Sequence, residues 1–157
     1  MNKRVYLAAD LGASSGRVMA GIFDGQTLRL EEIHRFPNNA EETPDGLRWD
    51  IDGLFAEITE GIRRAGAAHG EAIVSFGADS WGVDYGLLDA EGALMHRPFA
   101  YRDSRTDGMM DAAFTRMPRR EIYEHTGIQF MFLNTIFQVL SEVMQKRDWV
   151  ERAQRLL

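Results

Sequence analysis

With 157 residues, 45% of them hydrophobic and 10% aromatic, the chain is long enough to bury one core, and one domain is expected. Its 18 Lys and Arg against 24 Asp and Glu leave a net charge of −6, which repels phosphate backbones and anionic lipid, so neither nucleic acid nor a membrane is an expected partner. The absence of cysteine excludes disulfides, thiolate metal sites and a cysteine nucleophile; with an opening apolar run of only Val5 to Ala9, too short for a signal sequence or membrane span, this predicts a soluble, cytoplasmic protein working on a small molecule.

Val5 to Ala9 is rich in strand formers and is followed by the turn-prone Asp10-Leu11-Gly12-Ala13-Ser14-Ser15-Gly16 and a second apolar run from Arg17 to Phe23. Asp24-Gly25 is a hairpin signal, and Leu28, Leu30 and Ile33 continue into a third strand. After a polar loop at Glu41 to Gly46, Asp50 or Asp52 starts a helix with Leu54, Phe55, Ile58, Ile62 and Ala65 on its apolar face and Gly70 near its end. Ala72 to Ala78 carries few charges, which predicts a central fourth strand ending at Asp79, and Val83 to Leu88 reads as a fifth. Beyond Arg102 the period becomes helical. Met109, Met110, Ala113, Phe114 and Met117 share one face, Arg119 to Thr126 is a short helix stopped by Gly127, and a third helix from Asn134 carries an apolar stripe of Ile136, Phe137, Leu140, Val143 and Met144. The chain ends at Arg155-Leu156-Leu157 within what reads as an amphipathic segment, an ending expected of part of a longer protein. Three strands, a helix and a further strand are the opening of the α/β ribonuclease-H-like fold of actin-like ATPases, a mixed sheet with flanking helices.

Three segments carry chemistry. In Asp10 to Arg17, Gly12 and Gly16 let backbone N–H groups approach an anion without a Cβ in the way, and Ser14 and Ser15 add hydroxyls. Asp10, at the end of the first strand, is placed to orient a hydrated Mg²⁺. The segment has neither the Gly-Lys-Ser/Thr of a Walker A loop nor a G-x-G-x-x-G, and glycine and serine also serve an ordinary polar turn. In Gly77 to Tyr85, Asp79 lies where strand carboxyl ends face a ligand crevice; Trp81 offers an apolar face for a sugar, Gly82 close backbone approach and Asp84 a hydroxyl acceptor. Trp81 as a core residue and Asp79 as a helix or turn cap are the competing readings, and a use of Asp84 other than ligand binding stands beside the sugar role. In Tyr101-Arg102-Asp103-Ser104-Arg105, two arginines around a carboxylate fix a loop through ion pairs or hold sugar and phosphate oxygens, Arg102 being the candidate ligand residue. The four histidines, His34, His69, His96 and His125, are too dispersed for a metal centre.

Asp10-Leu11-Gly12-Ala13-Ser14-Ser15-Gly16-Arg17, Ile33-His34-Arg35-Phe36, Asp79-Ser80-Trp81-Gly82-Val83-Asp84, Tyr101-Arg102-Asp103-Ser104-Arg105-Thr106 and Gly127-Ile128-Gln129-Phe130 resemble the rhamnulokinase branch of the FGGY carbohydrate kinase family nearly from end to end. The Asp-Leu-Gly start is shared by the whole superfamily, whereas the Ala-Ser-Ser-Gly-Arg turn with Asp-x-Trp-Gly-Val-Asp is the more specific part. The resemblance implies the N-terminal lobe of a two-lobed sugar kinase, with residues 1–157 its N-terminal domain and the second lobe absent. It implies ATP and Mg²⁺ as cofactors, Ala13, Ser14, Ser15, Gly16 and Arg17 on the ATP phosphates, and Gly82 on the sugar. The implied reaction is phosphoryl transfer from MgATP to the 1-hydroxyl of L-rhamnulose, a step of rhamnose catabolism. The family's catalytic aspartate and adenine site then lie outside this sequence, so these residues alone are expected to be inactive. One departure is Phe132, where a proline is expected, which touches any sugar contact from Asn134. A kinase for a related ketose, a non-catalytic sugar-binding module of the same fold and a metal-dependent nuclease are the alternatives; the missing basic cleft argues against the last.

Overall fold

In the computed structural model, which describes residues 3–157, the strands and helices follow in the order β1 (Arg4–Leu11), β2 (Ser15–Phe23), β3 (Leu28–Pro37), β4 (Glu41–Thr43), β5 (Gly46–Arg48), α1 (Ile51–His69) and β6 (Ile73–Asp79). They continue as β7 (Leu87–Leu88), α2 (Met109–Phe114), α3 (Arg119–Thr126), α4 (Thr135–Met144), α5 (Trp149–Arg152) and β8 (Arg155–Leu156). Contacts divide the chain into two units: one takes in the chain up to Asn39 and again Asp50–Gly82, the other Ala40–Trp49 and Val83–Leu157.

The first unit is a four-stranded sheet in the order β3-β2-β1-β6, with β2 antiparallel to β1 and β3, and β6 parallel to β1. Strand alternation places Val5 and Leu7 of β1 with Ala20 and Ile22 of β2 on one face, where they form a core with Ala65 of α1. Val18, Phe36 and Leu54 form a second cluster on the same unit. Gly61 lets α1 approach the sheet, since a Cβ there would lie 2.4 Å from Val18 Cγ2. The hairpin at Asp24-Gly25 forms as read, with Gly25 at φ 103° and Asp24 Oδ1 accepting from the amides of Gln26 and Thr27. Gly70 ends α1 at φ 52°.

Three expectations for the first half of the chain change. The helix face narrows to Leu54, Ile58, Gly61 and Ala65, because Phe55 and Ile62 turn outward and are exposed. The strand read as central, β6, is an edge strand among the described residues, with Val74 and Phe76 about half exposed. Low charge is a signal for burial on both faces, and that burial is not realised here. The polar stretch at 41–46, which belongs to the other unit, forms β4, the turn and the start of β5 in a hairpin rather than an open loop.

In the second unit, the strand read over Val83 to Leu88 shrinks to Leu87–Leu88, which pairs with β8, so the last residues form a strand and not an amphipathic segment. The reason lies at Val83, whose carbonyl accepts from the Thr135 hydroxyl and the Gln138 amide instead of a strand neighbour. The stripe predicted on α4 is also displaced. Phe137 is buried, but Ile136, Val143 and Met144 are exposed, while Gln138, Ser141 and Glu142 are buried. That polar face closes on Arg105, whose Nη2 donates to Gln138 Oε1 at 2.7 Å and whose Nε lies 3.2 Å from Glu142 Oε1. Met117 falls beyond the end of α2 and is exposed.

Candidate nucleotide and sugar site

The first unit brings most of the predicted residues to one end of its sheet. Parallel pairing of β1 with β6 sets Asp10 in register with Asp79, so both carboxylate-bearing residues terminate neighbouring strands. Antiparallel pairing of β1 with β2 sets Asp10 opposite Arg17, and Asp10 Oδ2 lies 3.5 Å from Arg17 Nε, with the two side chains 49% and 34% exposed. At that distance the pair is an ion pair without a hydrogen bond; Arg17 Nε is buried and has no hydrogen-bond acceptor. Asp10 is thus open to a hydrated cation while a guanidinium stands beside it.

Gly12, Ala13 and Ser14 form the tight connection between β1 and β2, and Ser15 and Gly16 open β2. Gly12 N donates to the Ser15 carbonyl at 3.0 Å, which closes the turn. From the end of β3, Asn38 reaches back to it twice: its backbone N donates to the Ser14 carbonyl at 3.2 Å and its side-chain Nδ2 to the Gly12 carbonyl at 2.6 Å. Asn38 is 2% exposed. Residue-by-residue reading passed over it, because Asn-Asn after a proline carries the signature of an ordinary loop. Its one available signal is position, one residue beyond the Ile33-His34-Arg35-Phe36 segment.

Trp81 is half-buried and packs on the Val18, Phe36 and Leu54 cluster, so part of its ring is spent on the core; Gly82 and Asp79 are exposed. Space is open around Gly82, with nothing within 4 Å of a built Cβ.

Asp84 and Arg102 belong to the second unit. Asp84 Oδ2 accepts from Trp49 Nε1 at 2.6 Å, the structural use weighed for it. Arg102 is exposed, its guanidinium 5.2 Å from the Tyr101 ring centroid. The other members of that segment are structural. Asp103 accepts from the amides of Leu47 and Arg105, and Arg105 is buried against Glu142. Asn134 caps α4 by position and its Oδ1 accepts from Met131 N at 2.7 Å. No cluster of three or more His, Cys, Asp or Glu with metal-holding geometry occurs among the described residues.

No protein-family model matches the chain. Among curated proteins, it is 46% identical over 137 residues to rhamnulokinase of Bacteroides thetaiotaomicron, an alignment covering 87% of this chain and 28% of that protein. It is 43% identical over 159 residues to rhamnulokinase of Enterobacter sp. (strain 638), covering 100% of this chain and 32% of the relative. The chain therefore spans about a third of the length of the curated relatives it matches. Among solved structures, gluconate kinase from Lactobacillus acidophilus superposes with a TM-score of 0.82 at 15% identity, over 99% of this chain and 31% of that one. Plasmodium falciparum glycerol kinase with ADP superposes with a TM-score of 0.70 at 15% identity, over 94% and 30%. The fold is that of the actin-like sugar kinases, a mixed sheet with helices.

Proposed function

We propose, for a chain that is a relative of the rhamnulokinases and shares the fold of sugar kinases, that it forms the N-terminal, phosphate-holding lobe of an enzyme transferring the γ-phosphoryl group of ATP to the 1-hydroxyl of L-rhamnulose. The observation that carries the reading is the register of Asp10 with Asp79 at the ends of β1 and β6, beside the Gly12–Gly16 turn. Phosphoryl transfer asks a protein for position and charge more than for covalent chemistry, and this end of the sheet offers both.

The residues fit a magnesium nucleotide. Mg²⁺ keeps most of its waters and takes one or two carboxylates, and Asp10, half exposed at a strand end, is suited to hold it through water. When bound, the metal would neutralise charge developing on the transferred phosphoryl group. The Ala13, Ser14, Ser15, Gly16 turn would receive the phosphates, with Arg17 adding positive charge. That the glycerol kinase of like fold was solved with ADP supports an adenine nucleotide as donor. In the first unit Asp79, Trp81 and Gly82 are the sugar-side candidates, as a hydroxyl acceptor, an apolar face and an unobstructed backbone; Asp84 and Arg102, in the second unit, are candidates from the sequence alone. The catalytic base is assigned to sequence outside these residues. A cytoplasmic setting is part of the reading, and no helix among the described residues is long and apolar enough to cross a membrane.

The test is a coupled assay of the natural full-length gene product with MgATP and L-rhamnulose, beside other ketoses and beside these 157 residues alone. Sugar-dependent ADP release by the full-length protein, greatest with L-rhamnulose and absent from the 157-residue chain, is the expected result. Preference for another ketose would reassign the sugar, and no ADP release with any sugar would remove the kinase reading.

A further inference from the structure

We infer that Asn38 is a positioning residue of the nucleotide-phosphate turn, setting the Gly12–Ala13 peptide so that its N–H is presented to the phosphates; this rests on the kinase reading above.

An anion-binding turn must solve an electrostatic problem. Each peptide carries a donor and an acceptor, and a carbonyl facing a phosphate repels it as strongly as an N–H attracts it. In this turn three of the four carbonyls from Gly12 to Ser15 are engaged within the protein. Gly12 O and Ser14 O accept from Asn38 Nδ2 and Asn38 N, and Ser15 O accepts from Gly12 N. All peptides here are trans, so an N–H points within the peptide plane in the direction opposite to the preceding carbonyl. Fixing Gly12 O on Asn38 therefore turns Ala13 N–H away from Asn38. The side chain that does this is 2% exposed, so its hydrogen bond is not diluted by water, and it comes from the end of β3, whose pairing with β2 runs through Ser15 with Pro37 and Gly16 with Phe36. The turn is thereby anchored on an element outside itself.

Only a side chain with an N–H donor at this reach satisfies the requirement. An aspartate would set a carboxylate oxygen against Gly12 O, and alanine would leave that carbonyl free to rotate toward the anion. The loss should fall on the nucleotide, since Asn38 contacts only the turn through these bonds.

The experiment uses the full-length gene product and its Asn38→Ala and Asn38→Asp variants, with KM for MgATP and KM for the sugar measured separately alongside thermal unfolding. The expected result is a KM for MgATP raised roughly three- to tenfold in Asn38→Ala and more in Asn38→Asp, with KM for the sugar unchanged; the loss of one hydrogen bond scales to that range. A lowered unfolding temperature with KM for MgATP unchanged would reduce Asn38 to a structural residue and overturn the inference. If neither variant folds, the wild-type protein decides: the Ala13 amide resonance should shift on adding MgADP, and an Ala13 amide indifferent to saturating MgADP would overturn it equally. A wild-type protein that transfers phosphate to no sugar overturns the kinase reading and this inference together, an outcome distinct from an active enzyme whose nucleotide affinity ignores Asn38.

Discussion

Gly16 lies beneath the Phe36 ring so closely that a Cβ built on it would fall 2.2 Å from Phe36 Cε2 and 2.4 Å from Cζ. The two residues are register partners across β2 and β3, and Phe36 is 3% exposed, so the ring has little room to retreat. Replacement Gly16→Ala should destabilise the protein by about 1–3 kcal/mol, the usual cost of overpacking. Gly77→Ala, at a strand position with nothing within 4 Å of a built Cβ, is the matched control and should be near neutral. Denaturant unfolding of both checks the pair; equal effects would mean that the ring yields freely.

Arg105 and Glu142 are 3.2 Å apart with side chains 4% and 1% exposed, and removing one member leaves the other buried with only longer ion pairs, Arg147 at 3.4 Å for Glu142 and Asp103 at 3.6 Å for Arg105. Arg105→Met or Glu142→Leu alone should each cost about 3–5 kcal/mol, whereas the double replacement should recover much of the loss. The exposed pair Arg120 and Glu124, at 2.7 Å, should contribute no more than about 1 kcal/mol despite its shorter distance. Double-mutant cycles on both pairs read the contrast directly, and similar coupling energies would contradict it.

His96 sits with its ring 4.1 Å from the Trp149 ring and its Nδ1 3.1 Å from Arg48 Nη1. Burial holds its imidazole below the ordinary value of 6.5, with the Arg48 and Arg147 charges adding to the effect. Unfolding therefore takes up a proton at mildly acidic pH. Stability from this site is fully present above about pH 6.5 and declines as pH falls from there toward the lower folded value. His96→Phe should flatten that part of the profile, measured as unfolding free energy from pH 5 to 8. An unchanged slope would assign the titration to other groups.

Asp10→Asn keeps the size and removes the charge that the proposed water-bridged Mg²⁺ would meet. In the full-length protein, turnover should fall roughly 10- to 100-fold, the range for losing an outer ligand, and the Mg²⁺ concentration for half-maximal rate should rise. A fall in turnover with unaltered Mg²⁺ dependence would place Asp10 in charge balance with Arg17 and not in metal binding.

The first half of the chain was legible because its signals are local. The run of strand formers from Val5 to Ala9, the Asp24-Gly25 turn and the terminal Gly70 all appear in the structure where the sequence places them. What failed depended on partners distant in sequence. Val83 looks like a strand residue until Gln138 and Thr135 claim its carbonyl. The apolar stripe of α4 predicts the wrong inward face because Arg105, thirty-three positions before Gln138, draws Gln138 and Glu142 inside. The site divides the same way. Asp10 and Asp79 were readable from strand-end logic, but Asn38 was not, since its role consists of two hydrogen bonds to a turn twenty-six residues earlier.

The parallel seam between β1 and β6 also orders events in time. The β1, β2 and β3 meander closes through two short turns between sequence neighbours, whereas β6 reaches β1 only after β2, β3, β4, β5 and α1 have intervened. Chain closure of that span costs more entropy than either hairpin, so the turn that holds Gly12 is expected to assemble in the nascent sheet before Asp79 arrives opposite Asp10. The acidic pair is then the last feature of this end of the sheet to form during folding and the first to separate when β6 opens.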